Sequence, residues 1–339
     1  MNCRWVTFAL ISVFLFTAQA QPRRRAKGHA ERIVQPPPLT LDPKEIVNPN
    51  QPEIGVNAKG SGVLRAQILL DRAHYSCGEL DADFGINMQK AVSAYQGDHG
   101  MPVTGMVDAA TWAALNADTA PVLVAYTLTP DDVKGPFTPP IPKNLDDQAE
   151  LPALGYTSAI EMLGERYHTS PEILKKLNPG TNFNQAGQPM MGPNVQTMPP
   201  APEVAAVVVS KSDRSVSAYG PDNRRVAYYS ATIGSEHDPL PIGNWKITGV
   251  DHHPVFHYDP ALFWDAKSTD TKATLRPGPN NPVGVVWMNL SKEHYGIHGT
   301  PVPSTIGHTT SHGCIRLTNW DAEELASMVK PGIPAILKE

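Results

Sequence analysis

Between residues 58 and 117 the apolar positions recur at helical spacing. Val63, Leu64 and Leu70, with Gln67 among them, predict a first helix, and Met88, Ala91, Val92 and Tyr95 share one face of a second over 87–95. Asp108 opens a third that carries Trp112 and Leu115, with its carboxylate where the helix dipole favours it. From residue 202 onward the period changes. A continuous apolar run at 204–209 suits a buried strand, and strands at 215–219 and 226–233 flank the turn Gly220-Pro221-Asp222-Asn223. Further strands are predicted at 245–250, 283–290 and 333–337. One amphipathic helix at 320–329 is capped by Asn319 and stopped by Pro331-Gly332. The pattern over 202–339 predicts a β-rich sandwich with one packed helix, and the chain as a whole reads as multidomain α+β.

The stretch 121–199 has a weaker pattern. A short strand at 125–128 precedes proline-rich sequence from Pro130 to Pro152, then a helix at 158–167. Ser170 as N-cap and Pro171 at the first helical position start another helix, which ends at Leu177 before Asn178-Pro179-Gly180. Residues 21–57 show no apolar period. With Arg23-Arg24-Arg25 and Pro36-Pro37-Pro38 they predict a disordered, proline-rich linker. The first 20 residues combine Arg4, an apolar run over 6–16 and Ala18-Gln19-Ala20, the pattern of a secretory signal peptide cut after Ala20. That run is short for a bilayer span and no other is longer. The expectation is an exported protein of the periplasm or cell wall, soluble after cleavage and without a stable membrane anchor.

Composition narrows the function classes. At 339 residues the chain is long enough for two or three domains, and its net charge of -5 gives no reason to expect a nucleic-acid partner. Of 3 cysteines, Cys3 falls in the signal, which leaves Cys77 and Cys314. They lie in different predicted domains, so a disulfide is not expected. Cys77 reads as a buried apolar thiol of the helical domain. A free thiol outside the cell usually has a chemical role.

Chemistry concentrates in Ser311-His312-Gly313-Cys314-Ile315-Arg316-Leu317, with His298 in Ile297-His298-Gly299-Thr300 sixteen residues before the cysteine. Thiol catalysis needs a base for the thiol proton and a site for an oxyanion. His312, two positions from Cys314, shares its face if the segment is extended. His298 could approach from another strand. The residues alone do not rank the two. A rival zinc reading uses Asp251-His252-His253-x-x-x-His257, but the spacing is not that of a standard zinc motif, so no metal and no cofactor are predicted.

Three stretches carry family resemblances. Pro241-Ile242-Gly243, Pro277-Gly278-Pro279-x-Asn281-Pro282-Val283-Gly284, Tyr295 to Thr300, Ile306-Gly307 and Ser311 to Asn319 make residues 202–339 resemble the catalytic domain of L,D-transpeptidases, the YkuD-like family. Leu64-x-x-Gln67-x-x-Leu70, Asp81-Ala82-Asp83-Phe84-Gly85, Ala91-Val92-x-x-Tyr95-Gln96, Thr104-Gly105 and Thr111-Trp112-x-x-Leu115 resemble a type-one peptidoglycan-binding domain over 58–117. Leu163 to Tyr167 and Leu174-x-x-Leu177-Asn178-Pro179 resemble a LysM module, a β-α-α-β unit, over 121–199.

The first resemblance implies Cys314 as nucleophile and His298 as base, the second ring nitrogen of His298 being held by the Gly299 carbonyl. His312 and Gly313 would shape the oxyanion pocket. Arg316, Ser311, Tyr295 and Tyr258 would lie on the substrate side, with Tyr258 and Trp264 in a lid. The implied reaction forms 3-3 cross-links in peptidoglycan through a thioester, with release of D-alanine. Its implied partners are stem peptides and glycan, with carbapenem-type inhibitors. Water as acceptor would give an L,D-carboxypeptidase, and a protein amine would give protein anchoring. The alternative of another class is a non-catalytic wall-binding protein.

Overall fold

The computed structural model describes residues 39–195 and 202–339. The predicted signal peptide and the first part of the predicted linker lie outside them. Residues 39–117 fold as α1 (Pro43–Val47), α2 (Ser61–Arg72), strand β1 (Tyr75–Ser76), α3 (Ile86–Asp98) and α4 (Ala109–Leu115). The apolar faces read from the sequence meet in one core. Leu64 and Leu70 pack with Met88, Val92, Trp112 and Leu115, and Cys77 is buried among them as a free thiol. Asp108 caps α4 by accepting from the Thr111 amide at 2.9 Å.

The linker expectation fails between residues 39 and 57. Ile46 of α1 is fully buried, Ile54 bridges Val107, and Trp112 Nε1 donates to the Pro52 carbonyl at 2.9 Å. Single apolar side chains spaced among prolines and polar residues show no period, yet each contributes contacts to the helical core.

The next segment comprises β2 (Leu123–Thr127), α5 (Pro130–Lys134), α6 (Leu145–Ala149), α7 (Ala159–Arg166), α8 (Pro171–Leu177) and β3 (Pro189–Pro193). β2 and β3 pair antiparallel around a small core of Leu163, Tyr167, Leu174, Phe183 and Met190. Ser170 caps α8 through the Ile173 amide at 3.1 Å. The proline-rich stretch is not empty of structure, because Thr129 and Asn144 cap the short helices α5 and α6 within it.

The C-terminal part contributes β4 (Ala206–Ser210), β5 (Ser215–Tyr219), β6 (Arg225–Ser230), β7 (Gly243–His252), β8 (Phe256–Tyr258), β9 (Ala273–Leu275), β10 (Val286–Leu290), β11 (Gly296–His298), β12 (Ile315–Arg316), α9 (Asn319–Met328) and β13 (Pro334–Lys338). The strands run in the order β1-β6-β5-β4-β13-β7-β10-β11-β12 among the described residues, as two sheets that share β7, and β8 pairs separately with β9. Residues 243–246 pair with β13, and residues 247–252 pair mainly with β10. The far ends return to each other where Thr232, just past β6, bridges Arg316 of β12. Val207, Val209, Val216, Ile247, Met288, Ile297 and Ile315 fill the interior with Leu325 of α9.

Two further differences bear on function. The cap of α9 is Thr318, whose side chain accepts from the Asp321 amide at 3.1 Å, and Asn319 is the buried first helical residue. β1 of the helical domain pairs in parallel with β6 and extends the sheet. Residues 39–339 accordingly form one compact unit rather than separate beads.

Candidate active site

β10, β11 and β12 lie side by side, with His298 in register with Trp287 on one neighbour and with Arg316 on the other. Side chains alternate along a strand, so His298, Arg316 and the residue two before Arg316 share a face. That residue is Cys314, immediately before β12. Cys314 thus stands one strand over from His298 and two residues along.

His298 is only 3% exposed and its ring stacks on Trp287, with centroids 5.1 Å apart. Its Nδ1 lies 2.7 Å from the Gly299 carbonyl oxygen. A carbonyl can only accept, so Nδ1 carries the hydrogen, and in the neutral ring Nε2 holds the lone pair. Burial, followed by the nearby Arg316 charge, lowers the imidazole pKa from 6.5 to about 3. The ring is therefore neutral at neutral pH and able to accept a proton. Burial pushes the Cys314 thiol up, against the weaker pull of the Gly296 amide and Arg316. Both shifts favour the neutral forms. Cys314 is a free, partly exposed thiol, with Sγ 3.8 Å from the His294 carbonyl oxygen.

Gly313 has φ of 95°, and a Cβ there would sit 2.7 Å from Tyr295 Cε1. Only glycine fits beneath that ring in a left-handed conformation. Among the described residues, neither the Gly313 nor the Cys314 amide donates to a protein acceptor. Half-buried Arg316 makes no ion pair there, and its Nε is buried without a partner. The chemical inventory is thus a thiol, a neutral base, two open amides and an unpaired cation.

Other predicted site residues take supporting positions. Ser311 is buried and donates to the Cys314 carbonyl, so it holds the loop instead of facing a ligand. His312 turns toward the β8–β9 hairpin, with Nε2 2.8 Å from Asp265 Oδ1 and its ring 5.0 Å from that of Phe263. Trp264 lies 6.2 Å from the His312 ring and stacks on His237 at 4.4 Å. Tyr258 departs from the predicted contact role. It is buried with Leu154 and Leu275, and its hydroxyl approaches Asp270 at 3.5 Å, so it holds the hairpin together. His252, His253 and His257 are exposed, and no three His, Cys, Asp or Glu side chains among the described residues converge in metal-binding geometry.

One supporting residue escaped the sequence reading. Asn319 Oδ1 accepts from the Val285 amide at 3.2 Å, and its Nδ2 donates to the Pro279 carbonyl at 3.2 Å. It wedges behind two glycines, where an added Cβ would meet Asn319 Oδ1 at 2.0 Å from Gly284 and 2.2 Å from Gly299. Asn319 thereby backs the peptide whose carbonyl orients His298. Its sequence looked like an ordinary helix cap. The neighbouring glycines were the available signal.

Comparison with known proteins extends this geometry. Residues 205–337 match the model of the L,D-transpeptidase catalytic domain, YkuD, and residues 59–115 match the "Putative peptidoglycan binding domain". The chain is 33% identical over 175 residues to "Putative L,D-transpeptidase YkuD" of Bacillus licheniformis, spanning 51% of this chain and 89% of that protein. A second match, to the protein of the same name from Bacillus subtilis, is 56% identical over 54 residues, 16% of this chain and 33% of that one. Among solved structures, L,D-transpeptidase 3 of Mycobacterium tuberculosis in complex with a faropenem-derived adduct is 20% identical. It covers 41% of this chain and 61% of that one, with a TM-score of 0.33, too weak a likeness to carry residue roles across.

Proposed function

This chain belongs to the L,D-transpeptidase family, and on that premise we propose that it cross-links peptidoglycan through a Cys314 thioester, with His298 as the base. The observation that carries the reading is the placement of the site residues. His298 Nδ1 is held by the Gly299 carbonyl, and His298 stands in register with Arg316, two residues after Cys314.

The geometry supports a two-step acyl transfer. Cys314 Sγ attacks the carbonyl of the third residue of a stem tetrapeptide while its proton passes to His298 Nε2. Moving the proton together with the attack avoids a buried thiolate at rest, which burial disfavours. The Gly313 and Cys314 amides receive the developing oxyanion. The intermediate collapses, the terminal D-alanine leaves as an amine that takes the proton from His298, and a thioester remains. An amine of a neighbouring stem then loses a proton to His298 Nε2 and attacks the thioester. The amide cross-link forms and sulfur regains the proton. No external energy source is needed, because the thioester conserves the acyl transfer potential of the broken amide.

Arg316 offers an unpaired cation to a substrate carboxylate, and the Phe263–Asp265 segment covers the site from the hairpin side through His312. The peptidoglycan-binding match supports a wall substrate, hence a place outside the cytoplasm. No helix among the described residues is long and apolar enough to cross a membrane. The test is covalent labelling by a carbapenem, read by intact mass. Wild type gains one adduct on Cys314, Cys314→Ala gains none, and His298→Ala acylates on the order of 10²–10⁴-fold more slowly. An adduct on Cys314→Ala at the wild-type rate removes the nucleophile assignment.

A further inference from the structure

We infer that the helical domain is a working part of the catalytic centre and that Asn87 is the positioning residue through which it acts. The inference rests on the transpeptidase reading above and adds a role the wall-binding match does not assign. Asn87, in the first turn of α3, donates from Nδ2 to the Ile306 carbonyl at 2.8 Å. Its Oδ1 occupies the space beside Gly307, where an added Cβ would meet it at 2.1 Å. Gly307 has φ of 76°, so both the backbone and the contact demand glycine. The Ile306 side chain, 1% exposed, rests against Gly78 of the same helical domain.

From that loop the contacts run to the site in two steps. Thr232 Oγ1 donates to the Thr305 carbonyl and accepts from the Gly307 amide, each at 3.0 Å. The Thr232 backbone exchanges two hydrogen bonds with Arg316, at 3.0 and 2.9 Å. Arg316 stands two residues after Cys314 on the same face. Asn87 is itself held firmly. β1 pairs with β6, Lys90 Nζ donates to the Asp213 carbonyl at 2.8 Å, and Ser76 Oγ lies 3.0 Å from Asp321 Oδ2 of α9. Helical domain and catalytic sheet therefore share one rigid frame around the segment that leads into Ser311 and Cys314.

This differs in kind from tethering. A tether raises local concentration and matters only on the polymer. A positioning contact matters for any donor, because a displacement on the order of 1 Å at reacting groups costs roughly 10²-fold in rate. Asn87→Asp separates the two. It keeps the size of the side chain and places a carboxylate in the first turn of α3, where the helix dipole favours it. It removes the donor and sets a negative charge against the Ile306 carbonyl.

The experiment uses the full chain with a soluble disaccharide-tetrapeptide donor. Asn87→Asp and Asn87→Ala should keep the wild-type melting temperature within a few degrees, leave KM within about twofold and lower kcat roughly tenfold or more. Gly307→Ala should also lower kcat, and adding Asn87→Ala should restore part of the loss because the contact beside residue 307 is relieved. The rate of Cys314 alkylation by iodoacetamide across pH reads the same frame without any substrate, and Asn87→Asp should displace that profile. Wild-type kcat and an unmoved alkylation profile in both Asn87 variants would overturn the inference, as would a loss confined to polymeric sacculi. If wild type turns over no donor, the transpeptidase reading fails while the alkylation profile still decides the role of Asn87.

Discussion

The neutral His298 has a thermodynamic consequence that can be measured without substrate. Its folded pKa is about 3, against an ordinary 6.5. Above pH 6.5 the ring is neutral in both folded and unfolded chains and contributes nothing to the pH dependence. Below 6.5 the unfolded chain binds a proton that the folded chain refuses, so stability falls as pH falls until it passes the folded value. Each pH step of one between those two values costs about 1.4 kcal/mol, so the whole window is worth about 5 kcal/mol, of which about 3 kcal/mol is lost between pH 6.5 and about pH 4.5. His298→Gln keeps a polar side chain but removes the titration. Urea unfolding of both proteins at a series of pH values isolates the contribution, because the carboxylates titrate in both and cancel in the difference. The stability of wild type relative to His298→Gln should drop by about 3 kcal/mol between neutral pH and about pH 4.5. Parallel curves, or an imidazole resonance of His298 titrating near 6.5, would refute a buried neutral base.

Three other perturbations test separate parts of the site. Iodoacetamide applied to the native protein should modify Cys314 and spare Cys77, which is buried with its thiol pushed well up, whereas denatured protein should label at both; mapped peptides give the answer. Arg316→Met removes a charge that lowers both the Cys314 and the His298 pKa, so the alkylation profile of Cys314 should move to higher pH and carbapenem acylation at neutral pH should slow roughly tenfold. Asn319→Ala leaves the Val285 amide buried without its acceptor and should cost about 1–3 kcal/mol in urea unfolding, with slower acylation because the Gly299 peptide loses its backing.

What the sequence disclosed follows the range of the physics involved. α2, α3 and α4 were readable because an amphipathic helix writes its period into neighbouring positions. The strands 215–219 and 226–233 were readable for the same reason, with a turn between them. β1, β11 and β12 are two or three residues long and carry no period, yet β11 holds His298 and β12 follows directly on Cys314. They were approached only through His298 and Cys314 themselves. The sharing of β7 by two sheets and the return from Thr232 to Arg316 depend on pairings between residues far apart in sequence, which local pattern does not encode. The family resemblance puts Ser311 and Tyr258 on the substrate side. Burial, invisible in the pattern, made them supports instead. Asn319 and Asn87 were missed because each acts by filling space beside a distant glycine, Gly299 in one case and Gly307 in the other.

The most direct test of the proposed chemistry is incubation of the purified protein with disaccharide-tetrapeptide, followed by mass spectrometry of protein and products. The expected result is a tripeptide thioester on Cys314, stoichiometric free D-alanine and a dimer joined between third residues, all absent with Cys314→Ala. Dimer formation by Cys314→Ala at the wild-type rate, or no acyl-enzyme and no D-alanine from wild type, would contradict the proposal.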